Sequence, residues 1–365
     1  MNLPPMDVAT RAGRLRASLD SCDALLVTRL ANIRYLTGFT GSAALLLVLP
    51  DELVFVTDGR YDQQSAEQLR ANGVEARVEV RATQADQLDV LAEAVDGLAR
   101  VGLEAGDVTW AAQRRYAADV FAGAELVPTE GAVEALRRVK DDGEVARIEA
   151  ACAIADEALA TVRPRLAEGV TERELGLELD FTMRRLGAAD VSFETIVAAG
   201  PNGAKPHHRP SDRRIDEGDL VVLDFGALVD GYHSDMTRTV MVGSPTGTQQ
   251  RMYDVVRASQ QAGVDAVAAG VAAADVDRAC RDVIAEAGWA DRFLHGTGHG
   301  VGLDIHEDPR VGSTATGTLA AGHVVTVEPG VYLPEHGGVR IEDTVVVTPT
   351  GCRRLTNAPK DLLLS

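Results

Sequence analysis

Two aspartates flank a predicted β-hairpin in the second half of the chain. Asp224 ends the apolar run LVVLDF, and Asp235 follows a turn near Asp230-Gly231. Side chains alternate along strands, so the position of the turn decides how the two aspartates are placed. A turn at Val229-Asp230 would put them directly opposite each other, and a turn at Asp230-Gly231 would make them diagonal neighbours. In either register they would lie within about 5 to 8 Å of each other. Two carboxylates that close need a cation, a shared proton or hydrogen bonds. The hairpin alone is equally compatible with a metal site and with aspartates that cap turns or pair with Arg238.

A glycine-rich segment further along the chain carries three of its eight histidines. This segment, HGTGHGVGLDIHE, runs from His295 to Glu307 and contains four glycines. Histidine is the commonest transition-metal ligand, and glycines let a backbone approach a metal or substrate closely. The alternative is a glycine-rich loop with incidental polar histidines, since no HExxH helix is present. His299 is the best-placed candidate ligand.

Two glutamates are predicted at the ends of apolar strands. Glu328 ends the run VVTVE, and Glu342 shares a strand face with Arg340 in GVRIEDT. Glutamates are rarely buried unless they are paired with a cation or bound to metal. The alternative to metal binding is therefore an ion pair between Arg340 and a glutamate. The four carboxylates and His299 form a ligand set for two divalent ions. Oxygen donors dominate, which favours Mn²⁺, with Co²⁺, Fe²⁺ and Zn²⁺ also possible.

Helices and strands alternate differently in the two halves of the chain. The first half has strand-like runs such as Leu53 to Thr57 and helix-like runs such as Asp86 to Leu98, an α/β pattern. In the second half, Thr171 and Glu174 form a capping box that predicts a helix to about Leu186. Further helices are predicted at 249–268 and 274–287, around strand-rich segments at 219–241 and 322–347. We therefore predict an α/β domain over residues 1-132 and an α+β domain over 133-365.

Composition restricts the possible partners and the cellular compartment. The chain has 365 residues and a formal net charge of -19, so phosphate backbones and anionic membranes would be repelled, and we expect no nucleic acid or membrane partner. The longest apolar run, Ala43 to Leu49, is far shorter than a membrane span, and the start of the chain has no signal-peptide core. Four widely spaced cysteines predict reduced thiols and a cytoplasmic location.

The order of these motifs resembles one known family. DFG, YHSDMTRT, HGTGHGVGLDIHE, VEPG and RIED are similar to the motifs of the pita-bread metallopeptidases, the group of methionine aminopeptidase, aminopeptidase P and prolidase. The resemblance implies an α+β catalytic domain with the pita-bread fold, preceded by a smaller α/β creatinase-type domain. It also implies that the family's five metal ligands are intact here, as Asp224, Asp235, His299, Glu328 and Glu342.

Further segments resemble the Xaa-Pro branch of this family. LTGFTGSAALLLV and FVTDGRYDQQSAEQL are similar to its creatinase-type amino-terminal domain, and GPNGAKPHHRPSD is similar to its substrate-side histidine motif, with His207 at the matching position. The resemblance implies hydrolysis of the bond between an N-terminal residue and proline by a metal-activated water. It assigns catalytic roles to His207, His306 and Glu328, and places His295 and Arg340 beside the substrate or the ligands.

The resemblance also suggests the class of substrate and the assembly. Substrates would be proline-containing dipeptides, as for prolidase, or short peptides, as for aminopeptidase P, and the chain would form a homodimer. The alternative is a catalytically silent pita-bread module that binds peptides or proteins. Broken metal ligands would mark such a module, and all five are present in this sequence.

Overall fold

The structure, a computed structural model, describes residues 3–363. The described chain divides into two compact units, Pro5–Arg137 and a second unit formed by residues 3–4 and 138–363. The domain limits 1-132 and 133-365 stay a prediction. No helix within residues 3–363 combines the length and the apolar character that crossing a membrane requires.

The amino-terminal unit is built on one mixed six-stranded sheet. Its strands are β1 (Ala24–Val27), β2 (Ala44–Val48), β3 (Leu53–Thr57), β4 (Arg77–Val80), β5 (Arg100–Glu104) and β6 (Glu125–Thr129), in the order β4-β3-β2-β1-β5-β6. β2 is antiparallel to β1 and β3, and the other pairs are parallel. The helices are α1 (Arg11–Arg16), α2 (Leu30–Thr37), α3 (Asp62–Ala71), α4 (Gln84–Ala94), α5 (Trp110–Arg115) and α6 (Ala132–Arg137). This unit therefore has the α/β character that the sequence predicts.

Helix α4 differs from its predicted bounds because of its cap. The side chain of Thr83 accepts a hydrogen bond from the backbone N–H of Asp86, so the helix begins at Gln84, two residues before the predicted start. It ends at Ala94, four residues before the predicted Leu98. The prediction followed the apolar residues, whereas the cap residue determines where the helix begins.

The carboxy-terminal unit combines four long helices with short antiparallel strands. The helices are α7 (Asp142–Val162), α8 (Glu172–Arg185), α9 (Gly247–Ala266) and α10 (Ala273–Glu286). The strands are β7 (Asp190–Val191), β8 (Ile196–Ala199), β9 (Leu220–Phe225), β10 (Ala227–Val229), β11 (Tyr232–His233), β12 (Met236–Met241), β13 (Gly298–Gly300), β14 (Glu307–Val311), β15 (Val324–Val327), β16 (Gly330–Leu333), β17 (Gly337–Arg340), β18 (Asp343–Thr348) and β19 (Gly351–Arg354). This is the α+β architecture that the sequence predicts.

Antiparallel sheets support the polar residues of this unit. β12, β9 and β8 form one sheet, and β14, β13, β15, β18 and β19 form another. Helices α7 and α8 share an apolar core with the first sheet, and α9 and α10 share one with the second. The predicted capping box of α8 is confirmed, since the side chain of Thr171 bonds the backbone of Glu174 and that of Glu174 bonds the backbone of Thr171.

Candidate active site

A tight hairpin sets the spacing of the two aspartates. β10 and β11 are joined by Asp230 and Gly231, which have φ angles of 46° and 76°, the left-handed conformation that a two-residue hairpin turn requires. In the continuing ladder, Thr237 of β12 lies opposite Asp224 of β9. Asp235, two residues before Thr237, is therefore a diagonal neighbour of Asp224. The structure thus adopts the second of the two registers that the sequence left open.

His299 lies on the short strand β13 with one ring nitrogen free to bind a metal. A Cβ on the preceding residue, Gly298, would lie 2.0 Å from the carbonyl oxygen of Thr326, so only glycine lets this strand pack so closely. The His299 ring donates from Nδ1 to the carbonyl oxygen of Gly300 at 3.0 Å. This leaves Nε2 with a lone pair. Burial lowers the pKa of His299 to about 3, so the imidazole is neutral, the form that binds metals.

The two glutamates lie at adjacent ends of paired strands. Glu328 directly follows β15 and Glu342 directly precedes β18, and these strands are antiparallel with Val327 opposite Asp343. The hydroxyl of Thr326 donates to Glu328 at 3.2 Å, and that of Thr237 donates to Glu342 at 2.7 Å. Local sequence patterns could not predict this proximity, because it depends on which strands pair.

These side chains converge on one point. Single ligand atoms of Asp235, His299 and Glu342 all lie within 4.8 Å of one another. Nε2 of His299 lies 3.5 Å from Asp235 and 3.4 Å from Glu328. Burial and the neighbouring carboxylates raise the pKa of Asp235 and of Glu342 well above their usual values, and burial raises the pKa of Glu328 to about 8. The cluster therefore has an unfavourable concentration of negative charge that bound cations would relieve.

Asp224 tests whether the cluster fits metal ions. Its Oδ2 accepts from Arg340 at 2.5 Å, whereas its Oδ1 is buried and has no hydrogen-bond partner among residues 3–363. A buried carboxylate oxygen without a partner loses its hydration with nothing in return, so such an atom needs an explanation. An oxygen-rich donor set with one neutral imidazole and one unpartnered oxygen fits divalent ions.

Arg340 connects two of the candidate ligands. It donates to Asp224, to the hydroxyl of Thr237 at 3.1 Å and to the hydroxyl of Tyr332 at 2.8 Å. Thr237 in turn holds Glu342, so one cation orients two candidate ligands. The alternative interpretation of the sequence paired Arg340 with a glutamate. The structure instead pairs it with Asp224, because β17 runs beside β9.

His295 belongs to the same hydrogen-bond chain. Its Nδ1 donates to the carbonyl oxygen of Gly296 at 2.8 Å, so its Nε2 accepts from Tyr332 at 2.8 Å. Burial, with a contribution from the charge of Arg340, lowers the pKa of His295 to about 4. Sequence analysis missed Tyr332 and Thr237. Thr237 has a recognisable signal, since it lies two residues after Asp235 and therefore points in a similar direction.

The candidate ligands open onto a cleft of about 730 Å³. His306 is exposed to this cleft, and its ring centroid lies 4.3 Å from that of His299. Burial, together with the charges of Arg310 and His207, lowers the pKa of His306. Eight of the nine residues singled out from the sequence line the cleft, and Glu342, 1% exposed, is the one that does not. The eight are Asp224, Asp235, His299, Glu328, His207, His306, His295 and Arg340.

A buried ion pair holds the segment that carries His306. Nζ of Lys140 lies 2.9 Å from Glu307, and the two side chains are 1% and 7% exposed. Glu307 also accepts from the backbone N–H of Asp304 at 3.0 Å. The pair thereby fixes both flanks of His306.

Replacing Lys140 with Met is expected to lower the free energy of unfolding by about 3–5 kcal/mol, because it removes one partner of a buried ion pair. The control is Arg138→Met, since the Arg138 pair with Asp308 has side chains 43% and 45% exposed. That change should cost about 1 kcal/mol or less. Chemical denaturation followed by fluorescence and circular dichroism measures both, and equal losses would contradict the assigned role of Lys140.

Comparison with known proteins agrees with this site. Residues 146–349 match the family model of metallopeptidase family M24, and residues 11–139 match that of the creatinase/prolidase N-terminal domain. A Bacillus subtilis protein named uncharacterized peptidase YqhT is 41% identical over 343 residues, 94% of this chain and 96% of that protein.

Two solved structures are similar over nearly the whole chain. The Xaa-Pro dipeptidase from Bacillus anthracis has a TM-score of 0.93 and 38% identity, covering 97% of this chain and 99% of its own. The X-Pro aminopeptidase from Thermotoga maritima has a TM-score of 0.87 and 33% identity, covering 97% of this chain and 100% of its own. With ligand atoms of Asp235, His299 and Glu342 within 4.8 Å of one another and both family models matched in sequence, this chain belongs to metallopeptidase family M24, as a pita-bread metallopeptidase with a creatinase-type amino-terminal domain.

Proposed function

We propose that this chain hydrolyses the peptide bond that precedes proline. The convergence of Asp235, His299 and Glu342, beside an unpartnered oxygen of Asp224, carries the proposal. The names of the two similar structures, an Xaa-Pro dipeptidase and an X-Pro aminopeptidase, support the choice of bond. A catalytically silent binding module is disfavoured, because such a module would not need its metal-ligating side chains to be present and close together. Hydrolysis of Ala-Pro compared with Ala-Ala by the purified protein tests the proposal.

We propose that the site binds two divalent ions. Asp224, Asp235, Glu328 and Glu342 carry four carboxylates, and one divalent ion would compensate only half of their charge. Arg340 compensates one further charge and already occupies an oxygen of Asp224. The predominance of oxygen donors favours Mn²⁺, with Co²⁺, Fe²⁺ and Zn²⁺ as alternatives. Metal analysis of the purified protein would give both number and identity.

The residues around the cluster have separable chemical roles in this proposal. Divalent ions bound there would acidify a water molecule and polarise the scissile carbonyl. His306 would donate a hydrogen bond to the carbonyl oxygen as negative charge develops on it. Glu328 would accept the proton of the attacking water, and His207 would assist its transfer to the departing proline nitrogen. His295 and Arg340, joined through Tyr332, would hold Asp224 and the cleft wall in place.

The positively charged side chain of Arg310 at the cleft supports dipeptides, in preference to longer peptides, as the substrates. Arg310 is exposed and lines the cleft, and no carboxylate among residues 3–363 pairs with it. Its charge acts on His306, so it lies near the proposed position of the scissile bond. A dipeptide ends in a carboxylate one residue beyond that bond. We therefore propose that Arg310 binds the terminal carboxylate of an Xaa-Pro dipeptide.

Replacing Arg310 with Met is expected to lower kcat/KM for Ala-Pro by about 10- to 100-fold, mainly through KM, because a hydrogen bond to a charged group contributes about 1.5–3 kcal/mol. Ala-Pro amide, which lacks the carboxylate, should be equally poor for both enzymes. Arg209→Met is the matched control, since Arg209 already pairs with Glu194 at 3.1 Å. Steady-state kinetics decides, and an unchanged KM for Ala-Pro would rule out this role for Arg310.

Two further predictions remain proposals. We propose a homodimer, which light scattering coupled to gel filtration would measure directly. We also propose a cytoplasmic location, in keeping with the four cysteines, which are all free thiols.

A further inference from the structure

The loop that carries His207 is anchored by a buried carboxylate outside the ligand cluster. This loop, residues 200–211, connects β8 to the segment before β9 and is here called the histidine loop. It begins with the 3₁₀ turn Gly200–Ala204, and His207 lies at its exposed centre beside the cleft. A histidine on an exposed loop needs other groups to fix its position.

Glu172 is the residue that gathers the two ends of the histidine loop. Its Oε1 accepts from the backbone N–H of Ala199 at 2.8 Å and from the side chain of Asn202 at 3.0 Å. Its Oε2 accepts from Nε2 of His208 at 2.9 Å, and from the backbone N–H and the hydroxyl of Ser211 at 3.0 and 2.5 Å. One carboxylate thus bonds groups just before, within and at the end of the loop.

Starting helix α8 does not require this carboxylate. Glu172 is the first residue of the helix, but Thr171 and Glu174 already form the capping box. Glu172 is 0% exposed, and burying a charge is costly unless it is well hydrogen-bonded. Burial raises the pKa of Glu172, but the hydrogen bonds that it accepts lower the pKa by more. The pKa therefore lies below its usual value, and the group is ionised at neutral pH. Its hydrogen bonds serve the loop and not the helix.

The opposite side of the histidine loop is held by β17. Arg340 donates to the carbonyl oxygen of Pro206, directly before His207, at 3.3 Å. A Cβ on Gly338 would lie 1.9 Å from the carbonyl oxygen of Gly203, so the loop backbone is packed directly on this strand. The loop that carries His207 is therefore held on two sides. Arg340 also bonds the candidate ligand Asp224, whereas Glu172 bonds no candidate ligand.

We propose that Glu172 is a positioning residue of the active site, which acts by fixing the histidine loop so that His207 faces the scissile bond. This inference rests on the proposed role of His207. A displacement of about 1 Å in a group that assists catalysis can cost about 100-fold in rate. Glu172 would therefore affect hydrolysis without contacting the substrate or any candidate metal ligand.

The test is a double-mutant cycle between Glu172→Gln and His207→Ala, with Ala-Pro as substrate. Glu172→Gln should lower kcat/KM by about 10- to 100-fold, while metal content per chain stays that of the wild type. In the His207→Ala background the same change should have almost no further effect, because the residue through which it acts is absent. Glu174→Gln, in the same helical turn but without contact to the loop, is the matched control and should leave activity unchanged.

Hydrogen exchange supplies a readout that does not depend on activity. Peptides covering residues 199–211 should exchange faster in Glu172→Gln than in the wild type, and peptides covering β15 and β18 should not change. If Glu172→Gln does not fold, Ser211→Ala removes one donor and keeps the carboxylate. It should produce a smaller loss that also disappears in the His207→Ala background.

Different outcomes reject different parts of the inference. Glu172 does not act through His207 if Glu172→Gln or Ser211→Ala lowers kcat/KM as much in the His207→Ala background as in the wild type. The same conclusion follows if hydrogen exchange in residues 199–211 is unchanged in Glu172→Gln. If wild type is active and His207→Ala is equally active, the role of His207 is wrong, and the role of Glu172 falls with it. If the metal-loaded wild type hydrolyses no Xaa-Pro peptide, the proposed function itself is rejected.

Discussion

Replacing Glu342 with Gln is expected to lower kcat/KM for Ala-Pro at least about 1,000-fold and to reduce bound metal in the same protein. Glu342 is 1% exposed, its carboxylate accepts a hydrogen bond from Thr237, and one of its oxygens lies within 4.8 Å of ligand atoms of Asp235 and His299. An amide cannot supply the charge that holds a divalent ion there. Metal catalysis supplies several kcal/mol of transition-state stabilisation, and each 1.36 kcal/mol is tenfold in rate.

Without metal, Glu342→Gln should stabilise the fold, although it weakens metal binding and activity. Burial and the charges of Glu328 and Asp224 raise the pKa of Glu342 well above its usual value, so its ionised form destabilises the metal-free fold. This penalty is absent below the pKa of the unfolded state and grows as pH rises above it. In EDTA at neutral pH, Glu342→Gln should therefore unfold at a higher temperature than the wild type, and at about pH 4 the difference should disappear.

Adding metal should reverse the order of the two proteins. At a free metal concentration of 100 times Kd, the wild type gains about 2.7 kcal/mol, whereas the variant binds weakly and gains less. Differential scanning fluorimetry with EDTA or Mn²⁺, together with metal analysis, measures both arms. Glu335→Gln, on an exposed turn, is the control. Full metal content and activity in Glu342→Gln would show that this glutamate is not a ligand.

Replacing His306 with Ala is expected to lower kcat by about 100- to 1,000-fold while metal stays bound, the usual cost of losing one donor to a developing oxyanion. His306 packs its ring against His299 but lies outside the group of converging ligand atoms. Because burial lowers its pKa, the ring is neutral and keeps one N–H to donate. KM should change little, since the bond forms mainly in the transition state.

His336→Ala is the control for this substitution, because His336 lies in the turn after β16 and does not line the cleft. Steady-state kinetics and metal analysis on the same preparation separate the alternatives. Loss of metal from His306→Ala would identify His306 as a ligand, and an unchanged kcat would exclude it from catalysis.

Local sequence patterns could predict the hairpin and its aspartates. Alternation along the strands places Asp224 and Asp235 on one face in either register, so their proximity did not depend on structural detail. The choice of register depended on the backbone of Asp230, which adopts the left-handed conformation beside Gly231. Aspartate tolerates this conformation better than the valine that the other register would place in the turn.

The proximity of the other candidate ligands could not be derived from local patterns. Glu328 and Glu342 come together because β15 pairs with β18, and His299 joins them because β13 pairs with β15. The sequence identified these residues one by one as candidate ligands, and the family resemblance implied that they belong to one site. Glu172 had no signal of its own, since a glutamate after a capping threonine is ordinary, and its hydrogen bonds to the loop depend on a turn 30 residues away. Tyr332 likewise lies within the strand-rich segment 322–347, where no local pattern indicates a partner for its hydroxyl.

Hydrolysis of Ala-Pro, Ala-Pro-Ala and Ala-Ala-Ala by the purified protein, with Mn²⁺ or with EDTA, tests the central claim most directly. We predict that Ala-Pro is cleaved only with metal and faster than Ala-Pro-Ala, and that Ala-Ala-Ala is not cleaved. Faster cleavage of Ala-Pro-Ala after its first residue would keep the chemistry but contradict the role of Arg310. No release of amino acids from either proline peptide, with metal demonstrably bound, would contradict the account.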